Sequence, residues 1–144
     1  MTAIHRSALL PFSDQQLYAL VNDVEAYPQY MDGCVGAEVI RSEANQMEAR
    51  LDLARGGIKQ SFTTLNELNP HQSIRLTLKD GPFDRFDGLW RFQALAEQAC
   101  KVTLDLEFTV RSSLLSVAAA HLFDRVAGSL VDSVVTRAQT VYGL

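Results

Sequence analysis

The chain has 144 residues, 47% hydrophobic and 21% charged, with 13 basic and 17 acidic side chains for a net charge of −4. That length is one domain's worth, and the composition excludes a disordered chain. The acidic balance argues against a general nucleic-acid coat, so no DNA partner is expected, although a local basic patch stays open. No apolar run approaches the ~18 residues of a membrane span. The opening Met1-Thr2-Ala3-Ile4-His5-Arg6 lacks the charged-then-apolar order of a secretory leader.

Residues 2–10 read as a strand, ended by Pro11, which cannot donate to a ladder. Ser13 with Gln16 three residues on forms a capping box, and Leu17, Leu20, Val21 and Val24 then mark a short amphipathic helix. Residues 25–30 predict a second short helical turn with Pro28 suited to a first helical position, ended by Asp32-Gly33. From Cys34 to Arg111 the period becomes two. Met47, Ala49, Leu51 and Leu53 alternate with polar residues, as do Ile74, Leu76 and Leu78, and Cys100 through Val110. Turns fall at Gly56-Gly57, Asn69-Pro70, Asp80-Gly81-Pro82 and Glu97-Gln98. These predict six further antiparallel strands with one dry and one wet face, seven in all.

Residues 112–142 predict one long helix, capped by Ser112 or Ser113. Its apolar stripe runs through Leu115, Ala119, Leu122, Phe123, Val126, Leu130, Val134, Ala138 and Val141. At 1.5 Å per residue it would be ~45 Å long, against a radius of gyration of ~15 Å for a chain of this size. It must therefore cross the whole domain on the apolar face of the sheet. The expected architecture is a single α+β domain over 1–144, with a curved seven-stranded antiparallel sheet, two short helices after the first strand and the long C-terminal helix across it. A twisted sheet cannot follow a straight rod, so the gap holds large side chains or a cavity.

Two inner-face features point toward that gap. Phe86, Gly88, Trp90, Phe92 and Ala94 share one parity, with a missing side chain at Gly88. On 58–65, Gln60 and Thr64 share parity with Ile58 and Phe62, placing two polar groups on a face that should be dry. Each needs a partner, either a neighbouring protein group or the polar head of a ligand. The helix carries small residues at Ala118 to Ala120, Ala127, Gly128, Ser129 and Ser133, which suit close packing or a pocket mouth. On the wet face of the last three strands, Arg75, Lys79, Arg85, Arg91, Lys101 and Arg111 outnumber Asp87, Asp105 and Glu107. That fits either a solvated face or a dock for an anionic partner. No catalytic or metal-binding motif is present. Cys34 and Cys100 read as two reduced thiols of a cytoplasmic protein, and His5, His71 and His121 lack metal-ligand spacing.

Several blocks resemble a known family. They are Ser7-Ala8-Leu9-Leu10-Pro11-Phe12-Ser13, Leu20 through Met31 with its Ala26-Tyr27-Pro28-Gln29-Tyr30 core, and Cys34. Further on come Gln60-Ser61-Phe62-Thr63-Thr64, Asp80-Gly81-Pro82-Phe83, Gly88-Leu89-Trp90-Arg91-Phe92, Ala99 to Val102, Phe108 and Leu114-Leu115. The last are Arg137-Ala138 and Val141-Tyr142-Gly143. Together they are similar to the bacterial ribosome-association toxins, which share a START-type domain with mitochondrial coenzyme-Q-binding proteins. Asp32 departs from the pattern, where a proline or similar residue is expected.

The resemblance implies a START-like helix-grip fold (the birch-pollen-allergen type) and offers three readings. The first is a non-catalytic carrier of ubiquinone or a related isoprenoid lipid that supports respiration, with no cofactor required. Its cavity would be lined by Phe62, Phe83, Phe86, Trp90, Phe92, Phe123, Val126 and Leu130, with Gln60 or Thr64 near the polar head. The second is a toxin that binds the large ribosomal subunit and blocks subunit joining, through a surface including Arg75, Lys79, Arg85 and Arg91 or through a tip loop near Asp80-Gly81-Pro82. The third is an enzyme of the polyketide-cyclase type, a label carried by the fold, for which no acid–base pair is visible among the inner residues. The expected setting is the bacterial cytoplasm, with at most peripheral contact at the inner membrane.

Overall fold

The computed structural model describes residues 2–111 and 117–143. Strand β1 (Thr2–Leu10) leads into helix α1 (Asp14–Asn22) and a 3₁₀ helix (Val24–Gln29). Six strands follow: β2 (Cys34–Ser42), β3 (Gln46–Arg55), β4 (Ile58–Asn69), β5 (Ser73–Asp80), β6 (Phe83–Ala96) and β7 (Ala99–Val110). Helix α2 (Val117–Tyr142) closes the chain. The strands form one sheet in the order β1-β7-β6-β5-β4-β3-β2. Every pairing is antiparallel, so β2 to β7 are successive hairpins and β1 returns beside β7. This is the expected α+β helix-grip arrangement.

Local chemistry explains the entry into the helices. Ser13 Oγ accepts from Gln16 N at 3.1 Å, and Gln16 Oε1 accepts from Ser13 N at 2.9 Å, completing the capping box. The second helical turn begins one residue earlier than expected, and Pro28 lies near its end rather than at its first position. Tyr27 O there accepts from both Tyr30 N and Met31 N, which closes the turn without calling on the donor that Pro28 lacks. Asp32 sits in the following loop as the partner of Arg55 at 2.9 Å.

Register breaks bend the sheet around α2. They fall between Cys34 and Gly36, Val39 and Arg41, Thr63 and Thr64, Phe83 and Arg85, and Ala94 and Ala96. An extra residue on one strand raises local twist and curls the ribbon. The inward residues follow the predicted parity: in register, Ile74, Trp90 and Leu104 stand side by side, as do Leu76, Gly88 and Leu106. The vacancy at Gly88 is taken by those leucines, since a Cβ there would lie 3.0 Å from Leu106 Cδ1 and 3.3 Å from Leu76 Cδ1. Ala94 is exposed, contrary to its parity, because β5 stops pairing at Ser73–Arg91 and the end of β6 runs on with β7 alone.

Helix α2 has 26 residues and is therefore about 39 Å long. The predicted caps and Leu115 lie outside the described residues. The buried stripe is Ala119, Leu122, Phe123, Ala127, Val131, Val134 and Ala138. Val126 and Leu130 sit at its half-buried flank, and Val141 is exposed, at 49%. At that end Tyr142 takes the core position instead. Its ring lies 5.8 Å from Phe12, and its hydroxyl donates to Gln16 O at 3.0 Å, tying the end of α2 to α1.

Candidate functional site: the cleft under the long helix and the outer sheet face

The gap between sheet and helix is mostly filled by aromatic rings. Phe83 is the hub, with centroids 4.7 Å from Phe123, 5.2 Å from Phe86 and 5.6 Å from Phe62, all tilted or edge-on. Such contacts satisfy the ring quadrupoles and pack one end of the cleft solidly. Beside them remains a partly open cavity of about 90 Å³. Its floor is the inner face of β3 to β7, including Leu51, Thr64, Asn66, Leu76 and Trp90. Its roof is Phe123, Val126, Ala127 and Leu130 of α2, and its side wall is Val21, Asn22, Tyr27 and Met31. Of the residues expected to line it, Phe62, Thr64, Phe83, Phe86, Trp90, Phe123, Val126 and Leu130 do so. Gln60 and Phe92 do not. Gln60 is half-buried further along β4, opposite Leu53, and Phe92 lies under α1, edge-on to Tyr18 at 5.8 Å and parallel to Trp90 at 6.5 Å.

Four polar groups bear on the cleft. Thr64 Oγ1 donates to Asn66 Oδ1 at 2.8 Å, both residues being buried, so the hydroxyl on the dry face finds a neighbouring side chain. Asn66 continues the parity of Gln60, Phe62 and Thr64 by one pleat, a signal that extending the pattern past residue 65 finds. Asn22, at the end of α1, has a buried Oδ1 with no hydrogen-bond partner among the described residues. An orphan acceptor of that kind costs about 1–3 kcal/mol. Nothing in the local pattern singles it out, because helix α1 alone does not say what its last residue faces. Tyr27 donates its hydroxyl to Val21 O. Burial pushes its pKa well up, with Tyr30, Cys34 and Asp23 adding to the effect. A phenol so placed holds its proton and anchors the wall.

Gly33 has φ of +87°, and a Cβ there would fall 2.8 Å from Val126 Cγ2, so the loop after the 3₁₀ helix lies directly on α2. Arg137 stacks over Tyr30 at 5.1 Å and donates to Gln29 Oε1 at 3.2 Å, fastening the same loop to the helix further along. Gly128, by contrast, has no atom within 4 Å of where its Cβ would be, so it does not serve close packing.

The outer face of the sheet is a lattice of ion pairs. Arg75 meets Asp87 at 2.8 Å, Lys79 meets Glu48 at 2.6 Å, Arg85 meets Glu107 at 3.5 Å, and Arg91 meets Asp105 at 2.9 Å. Arg111 meets Asp84 at 3.2 Å. The four basic residues expected to form a partner surface are thus each balanced by a carboxylate, most from a neighbouring strand. The antiparallel register puts opposite charges on diagonal positions. Glu48 and Asp84 supply the acids that counting one face of the last three strands leaves out, so six bases face five carboxylates. Lys101 is the one of the six without an ion pair among the described residues. His5 shares Asp105 with Arg91, and its hydrogen bond is the main reason the Asp105 carboxyl is held below the usual range.

Both thiols are free and buried. Burial pushes the Cys34 thiol up and the Cys100 thiol up to about 11, so neither is poised as a nucleophile. Among the described residues no group of three or more His, Cys, Asp or Glu could hold a metal ion. No described helix is long and apolar enough to cross a membrane.

Residues 10–135 match the family described as polyketide cyclase / dehydrase and lipid transport. The chain is 42% identical over 142 residues to the ribosome association toxin RatA of Pseudomonas aeruginosa, covering 99% of both chains. It is 40% identical to RatA of Escherichia coli K12, covering 99% of this chain and 90% of that one. The chain belongs to the RatA family of the polyketide cyclase/dehydrase superfamily. Likeness to the mitochondrial coenzyme Q-binding protein COQ10 homolog B of Xenopus laevis is more distant, 27% over 141 residues and 58% of that protein's length. Among solved structures, a Thermus thermophilus protein superimposes with a TM-score of 0.81 at 21% identity over 98% of this chain and 99% of the other. The ZhuI aromatase/cyclase of a Streptomyces species gives 0.76 at 17% over 96% and 93%. At those identities the superpositions speak for the fold alone.

Proposed function

We propose that the protein binds the large ribosomal subunit and obstructs its joining to the small one. The observation that carries this reading is the 40–42% identity to RatA proteins along 99% of the chain. The cleft supports it by elimination. At about 90 Å³ the cavity is below the ~150 Å³ that admits a single benzene and the 300–1,000 Å³ of ordinary ligand sites. A quinone head with its first isoprenoid unit needs more room than this. A ribosomal partner sets the protein's place of work in the bacterial cytoplasm. The test adds purified protein to dissociated subunits and reads the joined-ribosome peak on a sucrose gradient. Loss of that peak, with the protein sedimenting with large subunits, is expected. An unchanged peak at several-fold excess over ribosomes overturns the reading.

A second reading rests on the unpartnered Asn22 Oδ1 in the cavity wall. An apolar guest with one donor group, such as an isoprenoid lipid, would satisfy it once the helix opens. Mass spectrometry of an organic extract of protein from its own host, with quenching of Trp90 by added quinone, tests this. We also propose that the protein is not an enzyme and requires no cofactor. The support is that Tyr27 is the one titratable side chain on the cavity wall among the described residues, and its hydroxyl is committed to Val21 O.

A further inference from the structure

Among the six basic residues on the outer face of the last three strands, Lys101 is the one without an ion pair among the described residues. A shallow groove runs between the turn joining β4 to β5 and the far ends of β6, β7 and β1. Its lining includes Asn69, Gln72, Arg91, Gln93, Lys101 and His5. In register, Ser7, Thr103, Arg91 and Ser73 form one outward row, and Leu9, Lys101 and Gln93 form the next. Arg91 and Lys101 are therefore diagonal neighbours on adjacent strands, about 7–8 Å apart at the backbone. Asp105 is shared between His5 and Arg91, and Lys101 has no ion pair among the described residues. Arg75, Lys79, Arg85 and Arg111 are each held by an acid of their own. Around the two cations stand three amide side chains, Asn69, Gln72 and Gln93, each with both donors and acceptors.

This combination differs from a generally basic surface. The cations are spaced as a pair, the concave wall between them offers amides, and no Phe, Tyr or Trp ring among the described lining residues is exposed for stacking on bases. Such a surface grips a charged backbone without reading sequence. We propose that this groove binds the sugar–phosphate backbone of ribosomal RNA, with Arg91 and Lys101 on successive phosphates and the amides on phosphate or ribose oxygens. The proposal rests on the reading that the large subunit is the partner, and it names the contact surface and the chemistry.

The test measures binding of the full chain to purified large subunits across a salt series. It compares wild type with Lys101→Gln, with Arg91→Gln/Lys101→Gln, and with Arg85→Gln/Arg111→Gln outside the groove. Each phosphate contact removed lowers the log–log salt slope by about 0.7–0.9. Lys101→Gln, which breaks no ion pair, should lower the slope by about one contact. The groove double variant should lower it by about 1.5 and weaken binding tenfold or more at 0.1 M salt, while the outside pair changes binding less than twofold. Urea midpoints check that all variants fold. Wild-type affinity and slope retained in both groove variants overturn the groove while leaving ribosome binding intact. Affinity lost with an unchanged slope also overturns the RNA contact and points to an uncharged protein contact. Failure of the wild type to bind large subunits overturns the functional reading itself.

Discussion

Gly128 offers the most direct check on how α2 sits over the sheet. It lies well inside a 26-residue helix, and a Cβ at its position meets no atom within 4 Å. Glycine inside a helix costs about 0.8–1.0 kcal/mol relative to alanine, because the unfolded chain loses more freedom there. With open space beside it, Gly128→Ala adds no clash to set against that gain. The variant should therefore be more stable by about 0.8–1.0 kcal/mol. For a chain of this length that is a rise in Tm of about 3 °C. Urea unfolding with an unchanged m-value and differential scanning calorimetry both read it. A loss of stability would refute the reasoning, since it would mean that α2 bends or is approached at Gly128 in solution. Ribosome binding should stay within twofold, because the variant touches neither the cavity lining nor the outer groove.

Three further outcomes follow from the packing and the charges. Leu104→Ala, at a fully buried position in the middle of β7, should cost about 2–5 kcal/mol in urea unfolding, whereas Arg75→Gln on the outer face should cost less than about 1 kcal/mol. Gly33→Ala should destabilise by about 1–3 kcal/mol, since φ of +87° strains any residue with a Cβ and that Cβ would press on Val126. In a Val126→Ala background only the clash is relieved, so a double-mutant cycle should leave the backbone part of the loss. The Asp105 carboxyl is held low chiefly by the His5 hydrogen bond. A depressed folded-state pKa gives stability that is present above the unfolded value of about 3.9 and is lost as pH falls through the folded value. The acid limb of the stability curve should be shallower in Asp105→Asn, and an unchanged limb between about pH 4 and pH 2 would contradict that assignment.

Elements and their faces were legible in the chain itself because each has a period. The capping box of Ser13 and Gln16, the two-residue alternation from Met47 to Val110 and the helical stripe ending at Ala138 each follow from bonds and spacings within a few residues. With the length of α2 against the size of the domain, they also required a sheet gripping a helix. Three-dimensional neighbours decided the rest. Whether the cleft was filled or open depended on how Phe62, Phe83, Phe86 and Phe123, brought from three elements, interlock. Gln60 and Phe92 share the right parity, but the sheet's curl carries them past the cavity. The apparent positive face of the last strands lost most of its excess because Glu48 reaches Lys79 across β4 and Asp84 meets Arg111. Parity along one strand determines which way a side chain points. Which charge cancels which, and how much space is left between two surfaces, are set only when strands distant in sequence come into register.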